Sequence, residues 1–193
     1  DKSGYFSPMK MADAKRHCGG DSFSGNLLNW ATMSRLDLLR LALTGGDRVI
    51  DDNGLTVLQR AWLPEEPVNF PPKSIDPADA LTPFGDGTVY VVSCRNRILF
   101  SDTPAGSSCD KPPPQEFNAR VRVCDKADGQ SRPQLCVAYK GGLKPEGALQ
   151  ENADLMRMGA MGYLTEFGAD DVNFYGGVLR APMKFIGHEW STL

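Results

Sequence analysis

Five cysteines are the side chains with the clearest chemistry in this sequence of 193 residues. Cys94 is close in sequence to Cys109, and Cys124 to Cys136, with strand-like residues around both pairs. We predict that the two pairs form local disulfides in an oxidising compartment, where such bonds persist. The alternative is a cytosolic protein with five buried thiols. This pairing leaves Cys18 without a partner cysteine. The sequence contains no Cys-x-x-Cys pair, so we do not expect a zinc ribbon or a thioredoxin-type redox site.

A nucleophilic serine is the second chemical possibility. The string Gly-Asp-Ser-Phe-Ser at residues 20–24 resembles the nucleophile block of the SGNH-type esterases. That chemistry needs a serine at the end of a buried strand and a histidine, with an acid, to activate it. The residues before Gly20 are not strand-like, and His188 has no acid three residues before it. We therefore favour helix capping by Ser22 or Ser24 and keep the esterase as an alternative.

Metal and histidine chemistry have little support. The stretches 51–54 (Asp-Asp-Asn-Gly) and 125–129 are typical of turns, and neither has the alternating oxygen ligands and distal Glu of an EF-hand loop. His17 and His188 are the only two histidines in the sequence. We predict no cofactor, and calcium or magnesium stays an alternative without a supporting motif.

Composition excludes several broad classes. Apolar residues make up 41% and charged residues 23%, which is typical of a globular chain and not of a disordered one. A net charge of −3 provides no strong basic field, so we predict no binding to nucleic acid. The apolar runs are far shorter than the ~20 residues of a transmembrane helix. The polar start at Asp1 indicates a processed chain or a fragment.

Residues 24–44 carry the strongest secondary-structure signal, which predicts one long helix. Leucines at helical spacing predict that one face of it is buried. Gly45-Gly46 can provide a left-handed stop, and Asp37 and Arg40 can pair across one turn. The leucines of the predicted buried face are Leu28, Leu36, Leu39 and Leu43.

The remaining elements are predicted as hairpins, short helices and loops. Residues 88–101 predict one hairpin, and 120–139 predict a second that pairs 120–125 with 135–139. Residues 156–165 predict a buried central strand. Less specific predictions are a strand or helix at 55–63, a short helix at 145–152, a strand at 177–180 and Pro-rich loops at 64–87 and 102–115. Phe70, Phe84 and Phe117 lie outside the predicted strands and helices, where covering the core is favoured over acting as adhesive anchors.

Three separated stretches resemble one family, the PilC/PilY-type tip-associated adhesins of bacterial type IV pili. The first is SGNLLNWATMSRLD at 24–37, followed by the Gly-Gly stop; the second lies at 121–150, and the third at 156–180. Their order and spacing agree with the family across residues 24–180. The positions that carry the resemblance are Ser24, Gly25, Asn26, Asn29, Trp30, Arg35, Asp37, Arg40, Gly177 and Arg180.

The resemblance implies an exported protein at the cell surface. Such proteins work with minor pilins and the pilus tip complex in assembly, and they adhere to host or abiotic surfaces. Their N-terminal half often contains a von Willebrand A-like α/β domain. Residues 1–5 (Asp-Lys-Ser-Gly-Tyr) depart from the Asp-x-Ser-x-Ser metal loop of that domain, so no metal site is carried over.

The expected fold is therefore α/β, a von Willebrand A-like mixed sheet with one long helix, long Pro/Gly loops and β-hairpins. Its central strand would lie upstream or come from another chain or segment, and an open edge would offer a docking site for a pilin strand. We interpret residues 1–193 as a single domain from the N-terminal region of a larger, non-enzymatic pilus adhesin. A secreted esterase that uses Ser22 and a structural filament subunit are the alternatives.

Overall fold

The computed structural model describes residues 4–63, 71–104, 109, 115–125, 135–167 and 172–186. The chain divides into two compact units, Asp1–Gly147 and Ala148–Leu193. That all 193 residues form one domain stays a prediction. The first unit contains α1 (Gly25–Thr32), α2 (Arg35–Thr44), β1 (Arg48–Asp52), β2 (Leu55–Gln59), β3 (Lys73–Ile75), β4 (Val89–Cys94), β5 (Arg97–Ser101), β6 (Gln115–Asn118), β7 (Arg120–Val123), β8 (Cys136–Tyr139) and β9 (Gly142–Pro145). The second contains α3 (Ala148–Glu151), β10 (Arg157–Phe167) and β11 (Val172–Phe185).

The described strands form four small antiparallel sheets. Their strand orders are β1-β2-β7, β3-β4-β5-β6, β8-β9 and β10-β11. A parallel bridge also joins Phe6 to Val121 of β7. The α/β class is as predicted, but one mixed sheet is not what these residues form, and the von Willebrand A-like fold is not confirmed.

The largest core lies between helix α1 and one face of the four-stranded sheet. Alternation along β4 and β5 sends every second side chain to this face. Ser93 lies on it as well, and its hydroxyl donates a 3.0 Å hydrogen bond to the carbonyl of Ala31. The buried residues of this core are Leu27, Ala31, Ile75, Ala78, Val89, Val91, Ile98, Phe100 and Ala119.

Phenylalanine rings extend this core. Phe23 packs at centroid distances of 5.1 Å from Phe100 and 5.7 Å from Phe84. Phe117 lies in β6 and packs 5.4 Å from the same Phe23 ring. Phe84 and Phe117 therefore cover the core, as favoured from the sequence, while Phe70 lies outside the described residues.

The predicted long helix is wrong, because it is two helices. Met33 and Ser34 have extended backbone angles between α1 and α2. Ser34 caps α2: its hydroxyl accepts from the N–H of Asp37 (3.1 Å), and the Asp37 carboxylate accepts from the N–H of Ser34 (2.8 Å). This reciprocal capping box satisfies N–H groups that have no partner inside a helix, so it favours a new start at Ser34. The predicted stop is confirmed, since Gly45 has a left-handed φ of 77°.

The prediction that the leucine face is buried is also wrong for α2. This helix has no buried residue, and three leucines of the predicted face, Leu36, Leu39 and Leu43, are 39%, 54% and 38% exposed. The change of direction at Ser34 separates these leucines from the face that Leu27 and Ala31 of α1 present to the core. Periodicity across residues 24–44 therefore describes two different faces.

The strand predictions are correct in one hairpin and wrong in the other. β4 and β5 pair as predicted for residues 88–101, and residues 55–59 are strand β2. β7, however, pairs with β2, and β8 pairs with β9. Each strand of the predicted second hairpin thus has a different neighbour. The predicted short helix corresponds to α3.

The second unit contains a long antiparallel ribbon of β10 and β11. Within it Met161 lies opposite Leu179, and the two side chains are 75% and 59% exposed. The prediction of a buried central strand at 156–165 is therefore wrong. The apolar run reflects a two-stranded ribbon with an exposed apolar face in the described residues.

Candidate binding site

Ser24 has a structural role at the start of α1. It is fully buried, and its hydroxyl donates a 2.9 Å hydrogen bond to the carbonyl of Arg16. Its backbone N–H donates to Leu81, and its carbonyl accepts from Leu28. Ser24 is thus the N-cap residue by position, as the sequence suggests, but its side chain joins the N-terminal loop instead of capping α1.

Asp37 ties the junction between the helices to the segment that follows strand β2. One carboxylate oxygen accepts the two bonds from Ser34, and the other accepts from the N–H of Ala61 at 2.6 Å. Arg40 does not form the predicted pair with Asp37 but donates to Asp47 at 2.8 Å. The charged residues of the motif therefore position α2 and do not only face solvent.

Arg60 also contacts the junction between α1 and α2. Only 6% of it is exposed, and its Nε donates a 2.6 Å hydrogen bond to the carbonyl of Thr32, the last residue of α1. It also donates to the carbonyl of Arg95 in the β4–β5 turn. Burial lowers the pKa of Arg60, and the charge of Asp37 opposes that shift. The residue pattern does not predict that Arg60 is buried at this junction, because a buried arginine has no specific signal in a sequence.

Trp30 lies on the exposed side of α1. Its ring is capped by the Lys73 ammonium, which lies 4.4 Å from the ring centroid and donates to the Trp30 carbonyl. Burial, and then the charge of Arg60, lower the pKa of Lys73. This contact ties β3 to α1, although more than half of Trp30 remains exposed.

An apolar cleft lies where α1 and α2 face strands β2, β5 and β7. We call it the interlayer cleft, and its volume is about 280 Å³. It occupies the space that usually forms the core between two layers of secondary structure. Its apolar lining consists of Phe6, Leu28, Met33, Leu41, Leu58, Ile98, Ala119 and Val121.

Charged and polar side chains line the same cleft. Arg40 and Asp47 form the ion pair described above, and Arg120 donates from Nε to the side-chain carbonyl of Gln59 at 2.7 Å. Asp37 and Arg60 complete the charged lining. Most of the surface that lines the cleft is apolar, so the arrangement suits binding of an apolar group.

The other motif positions are spread over the chain. Gly25 and Asn29 line the interlayer cleft, whereas Asn26 and Arg35 are exposed on the helices. The remaining two, Gly177 and Arg180, are exposed residues of β11 in the second unit. The ten positions that carry the resemblance therefore do not form one site.

Within the described ranges of the chain, Ser22 has no hydrogen bond to a histidine or a carboxylate. Ser22 is half-buried in the loop before α1, and His188 lies outside the described residues. The backbone N–H of His17 donates a 2.7 Å hydrogen bond to the carboxylate of Asp13. Among the residues described, no group of three or more His, Cys, Asp and Glu side chains could hold a metal ion. Calcium or magnesium binding stays untested.

Two disulfides brace the first unit. Cys94 is bonded to Cys109 with a Cα–Cα distance of 5.6 Å, and Cys124 to Cys136 with 5.7 Å. These are the pairs that the sequence predicts. Cys18 is a half-buried free thiol.

The fold is that of a small α/β module with an apolar cleft between its helices and its strands. The family model described as "PilY1 homolog, small alpha/beta domain" matches residues 1–116. The chain belongs to the PilY1 homolog family. No solved structure matches it.

Two curated relatives agree with this assignment, and both are named "Type IV pilus biogenesis factor PilY1 homolog" from Xylella fastidiosa (strain Temecula1 / ATCC 700964). One is 33% identical over 94% of this chain, and the other is 26% identical over 97%. The chain spans only 16% of the length of each relative. In the part of the chain that the structure describes, no helix has both the length and the apolar character needed to cross a membrane.

Proposed function

We propose that this chain is a non-enzymatic binding module of a type IV pilus biogenesis factor. It acts at the pilus tip with minor pilins, in pilus assembly and in adhesion to surfaces. The names of the two relatives support the pilus function. The binding role is supported by the interlayer cleft. The surface of this cleft is mostly apolar, and residues of α1 and α2, the helices of the family-like stretch 24–37, line one side of it.

The polar chemistry of the cleft favours binding over catalysis. A catalytic site needs a nucleophile or a general base within hydrogen-bond reach of a substrate. In the interlayer cleft, Asp37 is committed to capping α2 and Asp47 to the ion pair with Arg40. These carboxylates therefore shape the site and leave apolar surface as its main means of recognition.

The two disulfides support an exported location. Disulfides persist in the periplasm and outside the cell, and rarely in the cytosol. The Cys94–Cys109 bond covers the face of β4 and β5 that lies opposite α1, where Cys94, Val92 and Leu99 are buried. The disulfide therefore cross-links the first unit on the face of the four-stranded sheet that α1 does not cover.

Filling the cleft in the full-length protein tests this function. Leu41 and Leu38 belong to the same helix, but only Leu41 lines the cleft, and Leu38 is 52% exposed. We expect Leu41→Trp to reduce surface pili and surface adhesion of a piliated bacterium to the level of a strain without the gene. The matched control Leu38→Trp should leave both unchanged. Pili are measured by shearing and immunoblotting, and adhesion on plastic.

The result would contradict the proposal if Leu41→Trp, present at the normal level and with a normal melting temperature, left both readouts unchanged. The variant Ser22→Ala distinguishes the esterase alternative from the binding module. We expect it to leave piliation and adhesion intact, whereas a serine-dependent ester hydrolysis by the purified protein that Ser22→Ala abolishes would favour the enzyme.

A further inference from the structure

We propose that the interlayer cleft binds an apolar peptide segment that carries an acidic residue. This inference rests on the proposed function and names the chemistry of the partner that the module would recognise. It follows from the size and lining of the cleft and from the balance of charges within that lining.

The cleft has room for one or two apolar side chains. Its volume of about 280 Å³ lies near the lower limit of ligand pockets, which is ~300 Å³. Leu28 and Leu41 line its helical side, and Leu58 and Val121 its strand side. Burial of an apolar side chain here removes it from water at roughly 25 cal/mol per Å². A peptide anchored by one or two such side chains fits this geometry.

The charged residues of the lining favour a negative charge on that peptide. Three arginines, Arg40, Arg60 and Arg120, face two aspartates, Asp37 and Asp47, so the lining carries one more positive than negative charge. The Arg40 guanidinium forms a 2.8 Å ion pair with Asp47. The negative charge of Asp37 opposes the lowering of the Arg60 pKa by burial.

Arg120 is bonded to the neutral amide of Gln59. Among the described residues no carboxylate forms an ion pair with Arg120, so its charge is available to a ligand. A carboxylate beside Arg120 would balance it. Complementary charge of this kind contributes mainly specificity and association rate. The cleft should thus distinguish acidic from basic peptides that share the same apolar anchors.

Three matched peptides test this preference on the purified 193-residue chain. The probes are acetyl-Gly-Leu-Phe-Glu-Gly-amide and its variants with Gln or Lys in place of Glu, titrated by calorimetry. We expect the Glu peptide to bind about tenfold more tightly than the Lys peptide, with the Gln peptide between them. Arg120→Gln should abolish the difference between Glu and Gln. Equal affinities for all three peptides, or no binding, would overturn the proposal.

Leu41→Trp and Leu38→Trp locate the binding. The first should abolish binding of the Glu peptide and the second should leave it unchanged, with circular dichroism verifying that both variants fold. Binding that survives Leu41→Trp would place the peptide elsewhere and overturn the proposal. A peptide-free dimer that Leu41→Trp converts into a monomer would do so too, since a second copy would then fill the cleft.

The two proposals fail in different ways. If no peptide binds but Leu41→Trp still removes surface pili, the acidic peptide is wrong and the pilus function stands. If the Glu peptide binds with the expected preference but pili and adhesion do not respond to Leu41→Trp, the ligand chemistry stands and the proposed function fails.

Discussion

Helices α1 and α2 follow each other directly, yet they are stabilised in different ways. α1 buries Leu27 and Ala31 against the four-stranded sheet, and the side chain of its N-cap residue forms no capping bond. α2 buries no residue, but it has a complete capping box at Ser34 and a left-handed glycine at its end. Tertiary packing therefore maintains α1, whereas local hydrogen bonds define both ends of α2.

This difference explains why the interlayer cleft exists. A helix that is anchored through its core face lies close to its sheet, as α1 does through Leu27. α2 makes polar contacts with the rest of the unit, with Asp37 of its first turn bonded to Ala61 and Arg40 near its middle bonded to Asp47. Such polar contacts hold a helix in place without filling the space beneath it with buried apolar side chains. That space is where Leu41 and Leu58 line the cleft.

We expect the largest loss of unfolding free energy from the buried face of α1, and almost none from the matched position on α2. Leu27→Ala removes a side chain that is only 6% exposed, and we expect it to lower the free energy of unfolding by about 3 kcal/mol. The matched Leu39→Ala on α2 should change it by less than about 0.5 kcal/mol, because Leu39 is already exposed. Urea denaturation followed by circular dichroism measures both. Similar losses would remove the distinction between the helices.

Asp37→Ala should have the next largest effect, because it breaks the attachment of α2. The substitution removes the acceptor for Ser34 and for the N–H of Ala61, and we expect a loss of about 2 kcal/mol. Asp86→Ala, at an exposed loop position, is the control and should be neutral. An unfolding free energy unchanged by Asp37→Ala would mean that α2 does not depend on its cap.

Ser34→Ala tests the other half of the capping box. We expect it to cost about 1 kcal/mol, the usual cost of losing an N-cap side chain. Since Ser34 and Asp37 act on each other, the double variant should lose less than the sum of the two single losses. The same urea denaturation measures this coupling, and strict additivity would show that the two residues act independently.

The smallest effect is a pH dependence at the outer face of α1. The pKa of Lys73 is lowered in the folded state, mainly by burial and then by Arg60. In the unfolded chain Lys73 therefore keeps its proton up to a higher pH than in the folded protein. The free energy of unfolding should rise as the pH increases from the folded-state pKa of Lys73 towards 10.5. Lys73→Met removes this contribution, so the wild type should gain stability relative to the variant over that range. A constant difference would contradict the shift.

The contrast between the helices also shows what a sequence can and cannot reveal. The left-handed stop at Gly45 and the hairpin of β4 and β5 depend on residues near each other in the chain, and they were predicted. The Cys94–Cys109 and Cys124–Cys136 pairs also lie at the short spacings that suggested them. The capping box at Ser34 is equally local, but the continuous leucine pattern concealed it.

Tertiary structure alone decided which strands meet and where the cleft lies. β7 pairs with β2 across about 60 residues of chain, and this pairing brings Arg120 to Gln59 and Val121 to Leu58. Arg60 reaches the end of α1 in the same way. Such contacts depend on which surfaces pack together in space, and residue spacing in one sequence does not contain that information. The sequence by itself determined the local turns, caps and cross-links, because their partners are a few residues apart.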